Sequence, residues 1–517
     1  MANITKVYLM NTLLEKDYAH TMYFASAAAQ QAYFQKRILS AMTFTDFSYQ
    51  RKDGVIRVPA HIDAIFAAKC NYCMYQNAQY SNKWFYAFIT DMKYVDDGRT
   101  DVYIKPDCIQ TWMFDITVKH SFVEREHASN DAVGSNTVEE GLELGGYVCD
   151  KATPVGLGAM KYVMMVTEWA SGADKPLATN YGGIYHAGGA YIFDTMNELV
   201  NVLQLYSTSG KADAVTAVYM CPGNFIRNAS ETLQYSGQNT PSTQQVTLSK
   251  ATTLNGYTPR NKKLLTHPFV YVLGSNNTGS SNVYKYEDFT INNVQFNISG
   301  IPVIGGSIKS NPYCYKQTSG ENYEEGLIAG KFPTLSWSAD LYTNWLTQNS
   351  VNIGLGVAGG AVQIVGGVAT AIATGGAGAA IGGAGIVGGV QTIANTLAQV
   401  HQQSFTPNSA RGNTNGGDIN TADGVNTFIY YQMTIKAEYA RIIDEYFDMF
   451  GYKCHRVKVP AKNHRENYWY TKTIDANIVG GIPQDDLQTI KDCYNRGITF
   501  WKTEDYFRNY SVSNNIV

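Results

Sequence analysis

Residues 83–116 read KWFYAFITDMKYVDDGRTDVYIKPDCIQTWMFDI. Two runs rich in aromatic and β-branched residues, each with polar residues interleaved, flank the pair Asp97-Gly98. Such a pair supplies the positive φ that a tight hairpin needs, so the stretch predicts a β-hairpin and sets the expectation for its surroundings. Outward from it, the first 150 residues repeat the same alternation of short apolar runs and turn signals. The exception is Tyr18 to Leu39, where Tyr23, Phe24, Ala27, Tyr33, Phe34 and Ile38 fit an amphipathic helix. From about residue 151 to 340, pieces such as AVTAVYMC, HPFVYVLG and NVQFNISGIPVIGG alternate with Gly, Ser, Asn and Thr, which predicts a second β-rich region with long polar loops. Near the other end, IKAEYARIIDEYFDMFGYKC places Tyr439, Ile442, Ile443, Tyr446, Phe447 and Phe450 at helical spacing, with Gly451 as a stop. GITFWKTEDYFRNYSV is read as a closing strand.

Composition agrees with a mainly β protein carrying some α. The 517 residues include 37 Tyr, while Asp, Glu, Lys and Arg make up only 16%. That profile fits a β-rich chain with extensive subunit contacts. A formal net charge of -3 leaves no electrostatic footprint for sequence-specific nucleic-acid binding. The eight cysteines are too dilute for a disulfide scaffold, and Cys70 and Cys73 read as ordinary, partly buried thiols. MANITKVYLMNTLLEKDYAH has neither the basic nor the continuous apolar region of a signal peptide.

Charge then disappears. No Asp, Glu, Lys or Arg occurs among the 70 residues from 341 to 410. Within this run, Ile353 to Ala373 and Ile381 to Val400 span 21 and 20 residues, separated by TGGAGAA. As helices, at about 1.5 Å per residue, each would reach roughly 30 Å, the thickness of a hydrocarbon core. The apolar side chains are Ile353, Leu355, Val357, Val362, Ile364, Val365, Val368 and Ile372 in the first limb. The second carries Ile381, Ile386, Val387, Val390, Ile393, Leu397 and Val400. Gly356 with Gly360, Gly378 with Gly382, and Gly385 with Gly389 give small residues four apart, which lets helices approach closely in lipid. In water the glycines oppose a helix: 14 of residues 351–390 are Gly, each costing about 0.8 to 1 kcal/mol relative to Ala. The segment is expected to be helical only where lipid or protein surrounds it.

Several motifs do not carry the chemistry they spell. Gly354-Leu-Gly356-Val-Ala-Gly359 is a GxGxxG, but a dinucleotide site needs an acid about 20 residues on, and the next carboxylate is Asp418. Glu124 and His127 have the ExxH spacing of helical metal sites, yet in a strand they point to opposite faces, so ion pairing or subunit contact is the better reading. Trp84, Phe85, Tyr86 and Trp112 read as core and interface residues. The basic strip KCHRVKVPAKNHR, Lys453 to Arg465, reads as an edge strand in a subunit-contact or outer-surface role. No P-loop, GxSxG or HExxH is present, and no catalytic residue, cofactor or metal ligand is predicted.

The two ends of the chain resemble a known family. NAQYSNKWFYAFITDMKY, QTWMFDI, SFVEREH and EEGLELGG, then IKAEYAR, GYKCHRVKVP and RGITFWKTED, are similar in order to the distal tail tube, or tail knob, protein of small short-tailed bacteriophages with protein-primed DNA replication, the Salasmaviridae-like podophages. The resemblance implies a virion protein at the tip of a short tail: a homohexameric tube with a β-rich wall that contacts other tail or collar proteins. It further implies that viral double-stranded DNA passes through the lumen without sequence specificity. The apolar loop would plug the channel and later enter the host cytoplasmic membrane as a pore for the genome. The expected organisation is a tube domain from residues 1–150 and 425–517, a variable middle domain from 151–340, and a membrane-active loop with a polar linker from 341–424. A secreted pore-forming protein and a tail-tip cell-wall hydrolase are the alternatives.

Overall fold

The computed structural model describes residues 5–47, 54–76, 83–156, 160–173, 177–181, 184–211, 214–222, 243–276, 281–300, 307–316, 332–336, 356–358, 361–363 and 427–517. The chain is mostly β and divides into two units. One comprises Met1–Gly145, Tyr257–Thr266 and Ala437–Val517; the other comprises Gly146–Gly256 and His267–Lys436.

The first unit, built from both chain ends, opens with strands β1 (Thr5–Met10), β2 (His20–Met22), β3 (Ile38–Phe47), β4 (Gly54–Val58), β5 (Tyr72–Gln76), β6 (Trp84–Asp96), β7 (Arg99–Pro106), β8 (Ile116–Val118) and β9 (Ser121–Glu126). Six of them form one sheet in the order β3-β1-β5-β6-β7-β4. At its centre, on β5, both faces of this sheet are buried. Cys73 and Tyr75 on β5 join Val7, Leu9, Ile56 and Ile65 in one core, while Tyr72 and Met74 join Phe34, Trp112 and Trp501 in another. This accounts for the unbroken apolar character of YCMY, which a one-sided sheet would have alternated with polar residues.

The hairpin predicted at Asp97-Gly98 is formed, with Asp96 paired to Arg99. The expected positive φ is not: neither Asp97 nor Gly98 adopts it. Instead Asp96 Oδ1 accepts the Gly98 amide at 2.9 Å, and register shifts in β6 absorb the twist. The strand expected to run on to Ile116 stops at Pro106, and Cys108–Trp112 is a short helix, started by the Asp107 carboxylate accepting the Gln110 amide at 3.0 Å. The helix expected over Tyr18–Leu39 is confined to Ala27–Gln35. Ser26 caps its start, and the residues before it form β2, paired to another strand. Trp112 and Tyr86 are buried in the core as expected.

In the second unit the strands are β10 (Tyr147–Pro154), β11 (Met160–Val166), β12 (Leu177–Tyr181), β13 (Ile184–Phe193), β14 (Val215–Pro222), β15 (Thr243–Ser249), β16 (Val270–Ser275), β17 (Ser281–Tyr284), β18 (Asn293–Gly300), β19 (Ser307–Tyr313), β20 (Thr334–Ser336), β21 (Gly356–Ala358), β22 (Ala361–Gln363) and β23 (Ile429–Ile435). They form sheets ordered β10-β23-β16-β17, β15-β18-β19-β20 and β12-β13-β11-β14, and a two-stranded ladder β21-β22. The first two pack face to face: the Phe296 ring of β18 stacks on Tyr430 of β23 at 4.1 Å, and Ser310 on β19 hydrogen-bonds the Tyr430 hydroxyl at 2.5 Å. A helix, Met196–Thr208, was not anticipated. Its signal is a reciprocal cap, with the Glu198 amide donating to Thr195 Oγ1 and the Thr195 amide donating to Glu198 Oε2.

The chain returns to the first unit with β24 (Tyr452–Lys458), β25 (Tyr468–Ile474), β26 (Ile478–Gly480) and β27 (Ile498–Trp501). The sheet β2-β27-β25-β9-β24 joins strands from both chain ends, and β26 pairs with β8. Helix Ala437–Phe450 ends at Gly451 in the left-handed region, as expected, but buries Ala440, Ile443, Asp444 and Phe447 and leaves Ile442 exposed. Of the strand expected from Gly497 onward, only β27 forms, and turns follow. Two expected domain limits also shift. β23 lies between β10 and β16 through backbone hydrogen bonds, so residues 427–436 belong to the second unit, not to the tube domain expected from 425. Conversely, Tyr257–Thr266, from within the expected middle domain, belongs to the first unit.

Candidate functional site

The motifs that carry the resemblance converge in the first unit. Arg125, from SFVEREH, donates to the Gly451 carbonyl at 2.6 Å and pairs with Glu140, from EEGLELGG. Glu140 also takes the ammonium of Lys263 and, at 3.0 Å, the Lys453 amide of GYKC. All three side chains are at least nine-tenths buried, and burial pushes the Lys263 ammonium down despite its partner. Glu126 is also buried; it pairs with Lys458 and accepts the Ala461 amide at 2.8 Å. Buried charges of this kind need several partners each, which is why the motifs are long and interdependent.

The ExxH pair follows the expectation of ion pairing at Glu124 but not at His127, which lies just past β9. Glu124 pairs with Lys472 on β25. His127 is buried; its Nδ1 accepts the Tyr470 amide at 2.7 Å and its Nε2 lies 3.0 Å from the Asp448 carbonyl, to which it donates. That arrangement fits the neutral ring, and burial beside Arg465 holds its pKa down at about 3. Among the described residues, no three His, Cys, Asp or Glu side chains are grouped to hold a metal. Cys70 and Cys73 are both buried, and burial pushes their thiols up to about 11 and about 12, so neither is a ready nucleophile. The basic strip is only partly a solvated edge. β24 is an edge strand, but Arg465 is buried and Lys458 is spent on Glu126.

Asp444 organises the segment Tyr257–Thr266. It accepts the Tyr257 hydroxyl at 2.8 Å, the Arg260 amide at 2.8 Å, and the Asn261 amide and side chain at 3.0 and 2.9 Å. Nothing in the residues 257–266 announced this; the clue was a carboxylate on the apolar face of an amphipathic helix.

The apolar run is rooted at both ends in the same sandwich, leaving from the β20 side and returning at β23. Val357 lies in β21 opposite Val362 in β22, so the described residues of this run form a short antiparallel ladder, while the helical limbs are expected only where lipid or protein surrounds the segment. Gly356 pairs with Gln363 in that ladder. Ile353, Leu355, Ile364, Val365, Val368, Ile372, Ile381, Ile386, Val387, Val390, Ile393, Leu397, Val400, Gly360, Gly378, Gly382, Gly385 and Gly389 lie outside the described residues. Among the described residues no helix is long and apolar enough to cross a membrane.

Residues 231–515 match the family model of the C-terminal domain of tail knob protein gp9 of Bacillus phage phi29. The chain belongs to this tail knob family. Residues 3–118 match a second model, the N-terminus of caudoviral major tail proteins. Over 98% of both chains, the sequence is 25% identical to tail knob protein gp9 of phage phi29; it is 25% identical to that of Bacillus phage B103 over 98% of this chain and 97% of the relative. The tail knob protein gp12 of bacteriophage C1 shares the fold, with a TM-score of 0.63 and 15% identity over 99% of this chain and 100% of the other. Family membership makes the chain a structural protein of a phage tail, located in the virion.

Proposed function

We propose that copies of this tail knob protein form a six-membered ring at the tip of a short tail, joined to other tail or collar proteins, and that viral double-stranded DNA passes through its lumen without sequence-specific contact. The apolar run closes the channel before ejection, then enters the host cytoplasmic membrane and opens a path for the genome. One observation carries this reading: 70 uncharged residues leave and re-enter a single β-sandwich. A segment rooted at both ends can exchange environments while the sandwich keeps its hydrogen bonds. Each limb matches a bilayer in length but is poor at forming a helix in water, so lipid supplies what its sequence lacks.

Removal of residues 351–400 tests the reading. The deletion variant is expected to assemble into rings with six-fold symmetry and a central channel in negative stain, and to lose leakage of dye-loaded liposomes. Undiminished leakage by the variant would sink the loop mechanism, and compact monomers of the intact protein would remove the ring.

A further inference from the structure

The outer side of the sheet β10-β23-β16-β17 breaks the alternation expected of a sheet with one covered face. Its inner side is the sandwich core, where Tyr430, Thr434, Val270, Val272 and Tyr284 are buried. Residues alternating with these point away from that core. By register, Cys149, Met433 and Tyr271 form one cross-strand row on the outer side, and Ala152, Tyr431, Leu273 and Val283 form the next. All seven are uncharged, and none is buried. A third row, from Pro154 to Ser281, adds no charge either. The charged residues of β10 do not interrupt these rows. A register shift falls between Cys149 and Lys151; Asp150 accepts the Thr434 hydroxyl at 2.9 Å and the Asn255 amide at 3.1 Å, and Lys151 is opposite Gln432, on the core side. A sheet face left in water is ordinarily polar, so this one calls for a cover.

We propose that a second copy of this chain covers it, which makes this face a contact between neighbours in the assembly. The proposal rests on the ring reading above and names a surface for it. Extent argues for a macromolecular cover: with strands about 4.8 Å apart and same-side residues about 6.8 Å apart, four strands and three rows make a flat area of roughly 400 Å². That is about half of the ~800 Å² that each partner contributes to a standard interface, as the apolar centre of such a contact would be. A small ligand would leave most of so flat an area wet. The rows carry no Lys or Arg to meet lipid headgroups, as a membrane-surface element does. The cover must itself be apolar, because a charge set against this face would lose its water and gain no counter-ion. A closed ring supplies such a cover for every copy, since each subunit meets a neighbour on both flanks.

Cys149 lies in the first row and is exposed, so it reports on the cover directly. The full-length protein is alkylated with iodoacetamide, reaction at Cys149 is followed by peptide mass spectrometry, and the mass of the assembly is measured by light scattering. The expected result is an oligomer in which Cys149 reacts at least tenfold more slowly than in Leu273→Lys with Met433→Lys. That double variant should be monomeric and keep the parent melting temperature, because both positions are already partly exposed. If it fails to fold, the urea-unfolded chain supplies the unprotected rate instead. An oligomer whose Cys149 reacts as fast as the unprotected reference overturns the proposal and leaves the ring standing. A parent that stays monomeric overturns both the ring and this contact. Protection of Cys149 that persists in a monomer assigns the cover to the chain's own residues, and protection that needs liposomes assigns it to lipid; either result overturns the second copy.

Discussion

Glu140 stands between Arg125 and Lys263, and all three side chains have left water. Removing the central charge strands two buried cations, so Glu140→Gln is expected to lower stability by about 3–5 kcal/mol in urea denaturation, the usual cost of breaking a buried pair from one side. The isosteric amide keeps the shape, so a loss much under 1 kcal/mol would show that water reaches the triad. His127 makes a second prediction, in pH. Its folded pKa of about 3 lies below the ordinary histidine value near 6.5, so the unfolded chain binds the extra proton first. The stabilisation is complete above about pH 6.5 and is lost as pH falls toward 3, at up to about 1.4 kcal/mol per pH unit from this residue. Asp448, pushed up to about 6 by burial, works in the opposite sense over about pH 6 to 4, because the folded state then holds the extra proton. The two effects overlap, so the informative measurement is a difference: His127→Gln should become less acid-sensitive than the parent between pH 6 and 4. Parallel stability–pH curves would show that His127 is not held neutral.

At the scale of elements, helix Ala437–Phe450 shows what the sequence disclosed and what it withheld. The apolar spacing and Gly451 located it, because periodicity and a left-handed stop are local properties. Its buried face was misjudged by one position: Ile442 is exposed, and Asp444 is inside because a distant segment brings four donors to it. Such a contact, more than 180 residues away in the chain, leaves no local pattern. The hairpin at Asp97 was legible for a related reason, although side-chain bonding of Asp96 replaces the glycine geometry. Legibility also failed at Asp107, where a short polar cap outweighed strand-forming residues, and before Ser26, where residues read as helix pair as a strand and the cap starts the helix late. Two experiments act at this scale. Gly451 has φ +62°, and an added Cβ would lie 2.1 Å from the Glu126 carbonyl oxygen; Gly210 has φ +71° and open space. Gly210→Ala should therefore cost about 1 kcal/mol for its backbone alone, while Gly451→Ala costs clearly more, since strand β9 must move. Equal losses would mean that β9 gives way freely. Asp444→Ala is expected to speed amide hydrogen exchange at Arg260 and Asn261 selectively, and unchanged protection there would show that the segment holds without its carboxylate.

For the whole molecule, the proposed function rests on a division of labour between hydrogen-bonded sheets and a segment whose composition gives it weak preferences. Both ends of that segment are fixed by strands whose hydrogen bonds do not depend on it, β20 against β19 and β23 between β10 and β16. Its own balance is close: Val, Ile and Leu favour a bilayer centre by only about 0.3–0.6 kcal/mol each, and the glycines remove helix stability in water. A balance this close is easily tipped by single residues. Ile364 and Val390 sit near the middle of the two limbs. An Asp at a bilayer centre costs about 2.5–3.5 kcal/mol, so Ile364→Asp with Val390→Asp disfavours insertion by roughly 6 kcal/mol per copy. Liposome leakage by the double variant is expected to fall to background. Thermal unfolding of the two β units should be unchanged, since neither position falls within the range of a sandwich strand. Moving both aspartates into the TGGAGAA turn, at Thr374→Asp and Ala380→Asp, keeps the same added charge but places it where each limb ends. If the membrane reading is right, those variants retain much more leakage than the mid-limb pair. Equal loss from both pairs would mean that net charge, and not depth in the bilayer, governs the segment, and the spanning geometry would have to be abandoned.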